Sequence, residues 1–329
     1  MVYDCFTFFN ELDLLEIRLN VLKDVVDRFV LVEAGETHAG RPKPMMFAEN
    51  RARFATFADR IAYVAVERFP SVCTTDWARE NWQRNAISKG LEGAQDGDAV
   101  LISDLDEIPR PEAVRANIGR KGVTAFDQTY YAYYLNYRNV RQQWWLGTRM
   151  VSYRDFLHAF DGVDVVRNEF LPPAVNEGTT ASKIRCRVLP RARGGQRVVR
   201  NGGWHFTSLG GAQAVAQKIA SFAHQEYNPG EGKIDLSEIE RMIREGRGPF
   251  WQMRCFGERM DASYPDYVVS HADAYAHLVF PVTPAYLRAN RLPRLVQTVR
   301  GKLTGMAECA CPEALHNFLH RLKRRAAAS

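Results

Sequence analysis

The sequence has little of what marks several protein classes. It contains no stretch approaching the roughly 20 apolar residues that a membrane-spanning helix needs. Its opening, "MVYDCFTFFNE", shows neither a basic leader nor a small-residue cleavage site, so no signal peptide is expected. The six cysteines, Cys5, Cys73, Cys186, Cys255, Cys309 and Cys311, form no C-x-x-C pair and no zinc-finger spacing. Scattered in this way they suggest reduced thiols and a cytoplasmic setting, with Cys309 and Cys311 either a redox or metal pair or two incidental residues. There is no internal repeat, and no low-complexity segment beyond the terminal "RRAAAS". The body has no basic stripe interleaved with aromatics and no recognisable reading module, so nucleic-acid binding is not expected.

What is present is an ordinary globular composition, 329 residues of which 46% are hydrophobic, enough for one large core or two modest ones. The formal charge of +6 is unevenly placed. From Tyr286 onward there are nine basic residues against two acidic ones, which leaves the preceding body near neutral. Within that tail, "PEALHNFLHRLKRR" sets Leu315, Phe318, Leu319 and Leu322 at helical spacing with basic residues around them. Two readings stand: a helix lying peripherally on an anionic membrane surface, each basic group contributing about 1 kcal/mol, or a terminal helix docked on its own domain.

The first 125 or so residues alternate strand-like and helix-like patterns. "VYDCFTFF", "RFVLVEA", "IAYVAVE" and "DAVLIS" read as strands, separated by helices over "ELDLLEIRLNVLKDVV", "AENRARFATFADR" and "DWARENWQRNAISKGLEGA", the last with Asp76 as its N-cap. Such βαβα succession predicts an α/β fold with a mainly parallel, Rossmann-like sheet flanked by helices, whose ligands bind beyond the carboxyl ends of the strands. After Val123 the texture changes to aromatic-rich strands carrying Tyr130, Tyr131, Tyr133, Tyr134, Tyr137, Trp144 and Trp145, either a sugar-stacking platform or an aromatic core. Residues 190–203 read as a loop, and "AQAVAQKIASFAHQEYN" and "LSEIERMIREG" as helices, the second closed by Gly246.

Three constellations carry chemistry. In "ISDLDEIPRPE" two carboxylates, Asp104 and Asp106, stand one residue apart where a strand ends. Such a pair can hold a hard cation, Mn2+ or Mg2+, that takes its remaining ligands from water and substrate phosphate; acids are also common turn formers there. In "NGGWHFTSLGG", His205 follows a glycine pair that permits close backbone approach, and is either a third metal position or a hydrogen-bonded core histidine. The helix "ARENWQRNAISKG" aligns Asn81, Arg84, Asn85 and Ser88. That stripe is either a donor-binding face, with Arg84 on a phosphate and the amides on ribose or base, or simply the wet side of the helix.

Taken together, "NELDLLEIRLNVLKDVVDRFVLVEAGETHAGRPKPMMF", "GDAVLISDLDEIPRPE" and "GGWHFTSLGGAQAVAQKIASFAHQEYN" resemble glycosyltransferase family 17, from about Tyr3 to about Pro281. The resemblance implies a GT-A type nucleotide-sugar fold, a UDP-N-acetylglucosamine donor, a divalent metal and inversion at the anomeric carbon, as in a β-1,4-N-acetylglucosaminyltransferase. It makes Asp106 the direct metal ligand, places Asp104 on ribose or a metal-bound water, turns His205 towards a ligand role, and lines the nucleoside pocket with Asn10, Glu11 and Glu33. Residues 1–285 are then the catalytic domain, with a nucleotide-binding half (1–125) and an acceptor half (126–285), and 286–329 a basic helical tail. The expected acceptor is a glycan or a lipid-linked or surface-polysaccharide precursor at the inner membrane face. Glu226, with Asp127 as second choice, is the expected base that takes the acceptor's proton. The competing activity is a metal-dependent nucleotide-sugar hydrolase using the same acids and histidine.

Overall fold

The computed structural model describes residues 1–158, 196–223, 225, 228, 230, 235–248 and 253–310. Four strands, β1 (Val2–Phe8), β2 (Arg28–Ala34), β3 (Ile61–Val66) and β4 (Ala99–Asp104), pair in parallel in the order β3-β2-β1-β4. They are apolar on both faces because both faces are covered. Helix α1 (Leu12–Leu22) packs Leu15 and Leu19 against Phe6, Phe29 and Leu31, while Ile87 and Leu91 close over Val30 and Val32 on the other side.

The aromatic strands extend this sheet with mostly antiparallel pairing. β5 (Glu107–Pro109) follows the D-x-D turn, and α4 (Pro111–Arg115) leads to β6 (Val123–Ala132), β7 (Tyr137–Asn139) and β8 (Trp144–Ser152). β8 lies between β4 and β6, and β9 (Gln196–Thr207) pairs in parallel with β6 and antiparallel with β5. Tyr130, Tyr131, Tyr133 and Tyr137 are all buried, so the dense aromatics chiefly form core, while Trp144 is exposed.

Several local expectations change. The helix expected over residues 48–60 is a single α-turn, α2 (Met46–Glu49), followed by 3-10 turns over Arg51–Arg60. The next, α3 (Asp76–Asn85), passes into 3-10 geometry over Ala86–Leu91, and its cap is Thr75, whose Oγ1 accepts from Ala78 N at 3.1 Å. Asp76 already lies inside the helix and pairs with Arg79 at 3.0 Å instead. Residues 196–203, expected as loop, form the first part of β9, because pairing with β6 supplies a ladder that a local reading of "QRVVRNGG" cannot anticipate. α5 (Tyr153–His158) follows β8, and α6 (Gly211–Ser221) stops where Phe222 turns extended. α7 (Leu236–Arg244) closes at Gly246, whose φ of 65° is the left-handed stop the sequence implied. β10 (Cys255–Gly257), α8 (Asp266–Ser270) and α9 (Pro284–Ala310) complete the described chain. Among the described residues no helix is long and apolar enough to cross a membrane, and the Leu315–Leu322 stripe lies outside them.

One ion pair sits inside this layout. Arg18 of α1 and Asp4 of β1 have no solvent exposure and meet bidentately, Nε to Oδ2 at 2.8 Å and Nη2 to Oδ1 at 2.6 Å. Removing one member of such a pair strands a buried charge, at a cost of about 3–5 kcal/mol. Arg18→Met is therefore expected to lower unfolding free energy by that amount, and Arg18→Met/Asp4→Leu to recover part of it, as measured by urea denaturation.

Candidate functional site

The strand order reverses between β1 and β4, and ligands of such sheets bind in the crevice beyond the carboxyl ends at that reversal. A recess of about 370 Å³, its open mouth included, lies there. Asn10 and Glu11 reach it from the end of β1, Asp106 from the turn after β4, and Lys218 from α6. Residues from three widely separated segments thus share one wall.

The D-x-D turn is shaped from beneath by Arg18. Besides Asp4, its guanidinium donates to Ser103 Oγ at 2.6 Å and to the carbonyls of Asp104, Leu105 and Glu107 at 3.1, 3.0 and 2.8 Å. Glu107, fully buried, works from the other side. It accepts from Asp104 N at 3.0 Å and from Trp145 Nε1 at 2.7 Å, so its carboxylate ties the turn to β8.

The motif's two carboxylates have separate partners. Asp106 Oδ2 lies 3.5 Å from His205 Nε2 and 3.3 Å from Lys218 Nζ. Asp104 Oδ1 lies 3.0 Å from Arg84 Nη1. The His205 ring is held by stacking, with Tyr130 and Trp145 each 4.9 Å away at 30°. Its Nδ1 is buried with no hydrogen-bond partner among the described residues. Close approach of β9 to β5 requires Gly203, where a Cβ would stand 2.2 Å from Ile108 O.

Lys218 is the cationic member that the sequence reading did not place here. The chain leaves β9 through "SLGG", with φ of 100° at Gly210 and 78° at Gly211, a reversal that favours glycine and turns α6 back over the recess. Lys218 Nζ also donates to Thr207 Oγ1 at 2.9 Å. Burial works to lower its pKa, but the Asp106 and Glu11 carboxylates outweigh burial and hold the ammonium above its ordinary range. One signal in the sequence was a lone lysine among small and apolar residues in "AQAVAQKIAS".

Of the expected donor-binding residues, Asn10, Glu11 and Asp104 stand at or beside the crevice, and Asn10 Nδ2 donates to Gln217 Oε1 at 3.0 Å, bridging it. Arg84 and Asn85 are buried rather than forming an outward stripe. Arg84 does not offer a free fork to phosphate; it binds Glu80 at 2.8 Å and steadies Asp104. Glu33 is turned into the protein, with no exposure, and accepts from Phe47 N and Tyr63 Oη, both at 3.0 Å. It orders the entry to α2 and does not line the recess. Asp127 also departs from expectation: it pairs with Leu146, one residue along from the Gln128 and Trp145 pair, so the strand pleat turns it away from the Trp145 and His205 face. There it meets Arg200 Nη1 at 2.5 Å. Glu226 lies outside the described residues.

The three-ligand metal set expected from Asp104, Asp106 and His205 is not assembled: among the described residues no group of three or more His, Cys, Asp or Glu side chains gathers as a metal cage. Asp106 and His205 do converge. A hard divalent cation keeps several waters and shares substrate phosphate oxygens, so a carboxylate and an imidazole suit it as the protein's share.

Residues 1–155 match the model of glycosyltransferase family 17, so the resemblance drawn from the sequence holds over that stretch, whereas the "GGWHFTSLGG" block lies beyond it. The human β-1,4-mannosyl-glycoprotein 4-β-N-acetylglucosaminyltransferase is 32% identical over 112 residues, 32% of this chain and 21% of that protein. Its mouse counterpart is 31% identical over the same length. The matched stretch thus spans only about a fifth of those relatives. A mannosyltransferase from Pyrobaculum calidifontis, solved with GDP-Man and Mn2+, aligns over 100% of this chain and 80% of its own at 12% identity, with a TM-score of 0.41. Glucosyl-3-phosphoglycerate synthase from Mycobacterium tuberculosis aligns over 82% and 92% at 14% identity and a TM-score of 0.34. Both scores are too low to transfer any residue role, and the α/β architecture rests on this chain's own strand order.

The bracing role of Glu107 has a measurable consequence. Glu107→Gln keeps the shape but sets an amide N–H against one of two N–H donors, which is expected to cost about 1–3 kcal/mol in urea unfolding.

Proposed function

We propose that this chain, whose residues 1–155 match the model of glycosyltransferase family 17, is a GT-A type enzyme that transfers a sugar from a UDP-sugar to a saccharide hydroxyl with inversion. N-acetylglucosamine is the proposed sugar, and a glycan or lipid-linked saccharide the proposed acceptor. The observation that carries this reading is the crevice at the β1/β4 reversal, where the family-matched residues Asn10, Glu11 and Asp106 meet Lys218.

Asn10 and Glu11 offer an amide and a carboxylate to the nucleoside, and Asp104, held by Arg84, stands ready for ribose. Asp106 and His205 would hold a divalent cation, Mn2+ or Mg2+, which when bound offsets the charge of the departing diphosphate. Lys218 adds a compact positive charge to the same recess and steadies the leaving phosphate electrostatically. The attacking hydroxyl must lose a proton to a nearby base. Asp127 is turned away and bound by Arg200, so Glu226 is the proposed base.

Thermal-shift measurements test the donor and the metal together. UDP-N-acetylglucosamine is expected to raise Tm more with Mn2+ than without it, and Asp106→Asn to abolish the metal-dependent part. No stabilisation by any UDP-sugar would overturn the donor assignment. Lys218→Met is expected to lower kcat by about 10²-fold, the usual loss for one electrostatic contact to developing charge. Release of free sugar at full rate without any acceptor would instead establish the hydrolase.

A further inference from the structure

Helix α9 is built inside out. The side it turns to the body is mostly polar or small, with Leu287 half-buried at its start: Tyr286 Oη accepts from Gly257 N at 2.9 Å, Arg294 pairs with Glu258, and a Cβ on Gly301 would stand 2.2 Å from Arg141 O. The side it turns outward is apolar. Leu292, Leu295, Val296 and Val299, at i, i+3, i+4 and i+7, are 67%, 59%, 41% and 47% exposed. An ordinary amphipathic surface helix has the reverse arrangement, and a contiguous apolar stripe left outward marks a surface that something else covers.

The charges around the stripe identify what covers it. Arg288, Arg291 and Lys302 are exposed, and no Asp or Glu occurs from Pro284 through Lys302. An apolar stripe with cationic flanks matches the boundary between acyl chains and anionic headgroups. A second copy docked two-fold on the same face would set these cations against their own kind, which opposes self-pairing. We infer that the outer face of α9 docks on an anionic lipid surface, with Leu292, Leu295, Val296 and Val299 entering the headgroup boundary and Arg288, Arg291 and Lys302 on the phosphates. This face is made of other residues than the Leu315–Leu322 stripe and does not depend on the sugar-transfer reading of the crevice.

Co-sedimentation of the full chain with vesicles of phosphatidylcholine, with and without phosphatidylglycerol, tests the inference. Binding is expected only to the anionic vesicles and to weaken with salt. Leu292→Ser/Leu295→Ser/Val299→Ser is expected to reduce the partition coefficient at least tenfold with its melting temperature unchanged, and Arg288→Gln/Arg291→Gln to reduce it with the stripe intact. The inference is overturned if the full chain stays in the supernatant at low salt. It also falls if the serine variant partitions like the parent while serine replacement of Leu315, Phe318, Leu319 and Leu322 abolishes binding. A concentration-dependent dimer in sedimentation velocity, lost in the Leu292, Leu295 and Val299 variant, would assign the face to a second copy or, if seen only with an acidic protein, to that partner, and would equally overturn it.

Discussion

Arg18 is the centre on which the candidate site depends. A guanidinium carries five donors in a rigid fork, and six contacts to Asp4, Ser103 and the carbonyls of Asp104, Leu105 and Glu107 occupy them. Phe6 lies beneath, 4.6 Å from Cζ to ring centroid. A charge with no exposure is tolerated only when it is paired and hydrogen-bonded. Here the satisfaction of that charge and the shape of the D-x-D turn are the same set of bonds. The acids facing the crevice are positioned by a cation that never meets solvent.

Around that centre the polar side chains divide their work by burial. Glu107, Arg84 and Glu33 are buried and hold backbone or neighbouring side chains. Asp106, Lys218, Asn10 and Glu11 line the recess. His205 stands between the two groups, its ring packed against Tyr130 and Trp145 while its Nε2 points to Asp106. Stacking orients the ring without committing Nδ1 to a hydrogen bond.

Much of the first 104 residues could be read locally. Strands β1 to β4 and helix α1 announce themselves through hydrophobic period, and their parallel pairing follows from the intervening helices. The D-x-D at the end of β4 followed directly. What escaped were features set by distant partners. The first part of β9, residues 196–203, looked like a loop because of its glycines and polar residues, yet β5 and β6 flank the strand. Arg84, Glu33 and Asp127 have the chemistry of a binding site, and only their neighbours reveal that each is already bound elsewhere. Arg18 had a faint signal: an arginine between Leu14 and Leu22 on a buried helical face, with an aspartate inside a buried strand.

The sequence by itself determined the α/β class of the first half, the acidic turn after β4, the resemblance to a sugar-transferring family and the cationic character of the C-terminal region. These are properties of local period, composition and ordered motifs, which survive without knowledge of contacts. The tertiary structure decided which polar residues meet. It brought Lys218 and His205 to Asp106, sent Asp104 to Arg84, turned Asp127 away and left the apolar side of α9 facing outward. Burial, strand register and helix rotation determine such outcomes, and each is a relation between segments distant in the chain.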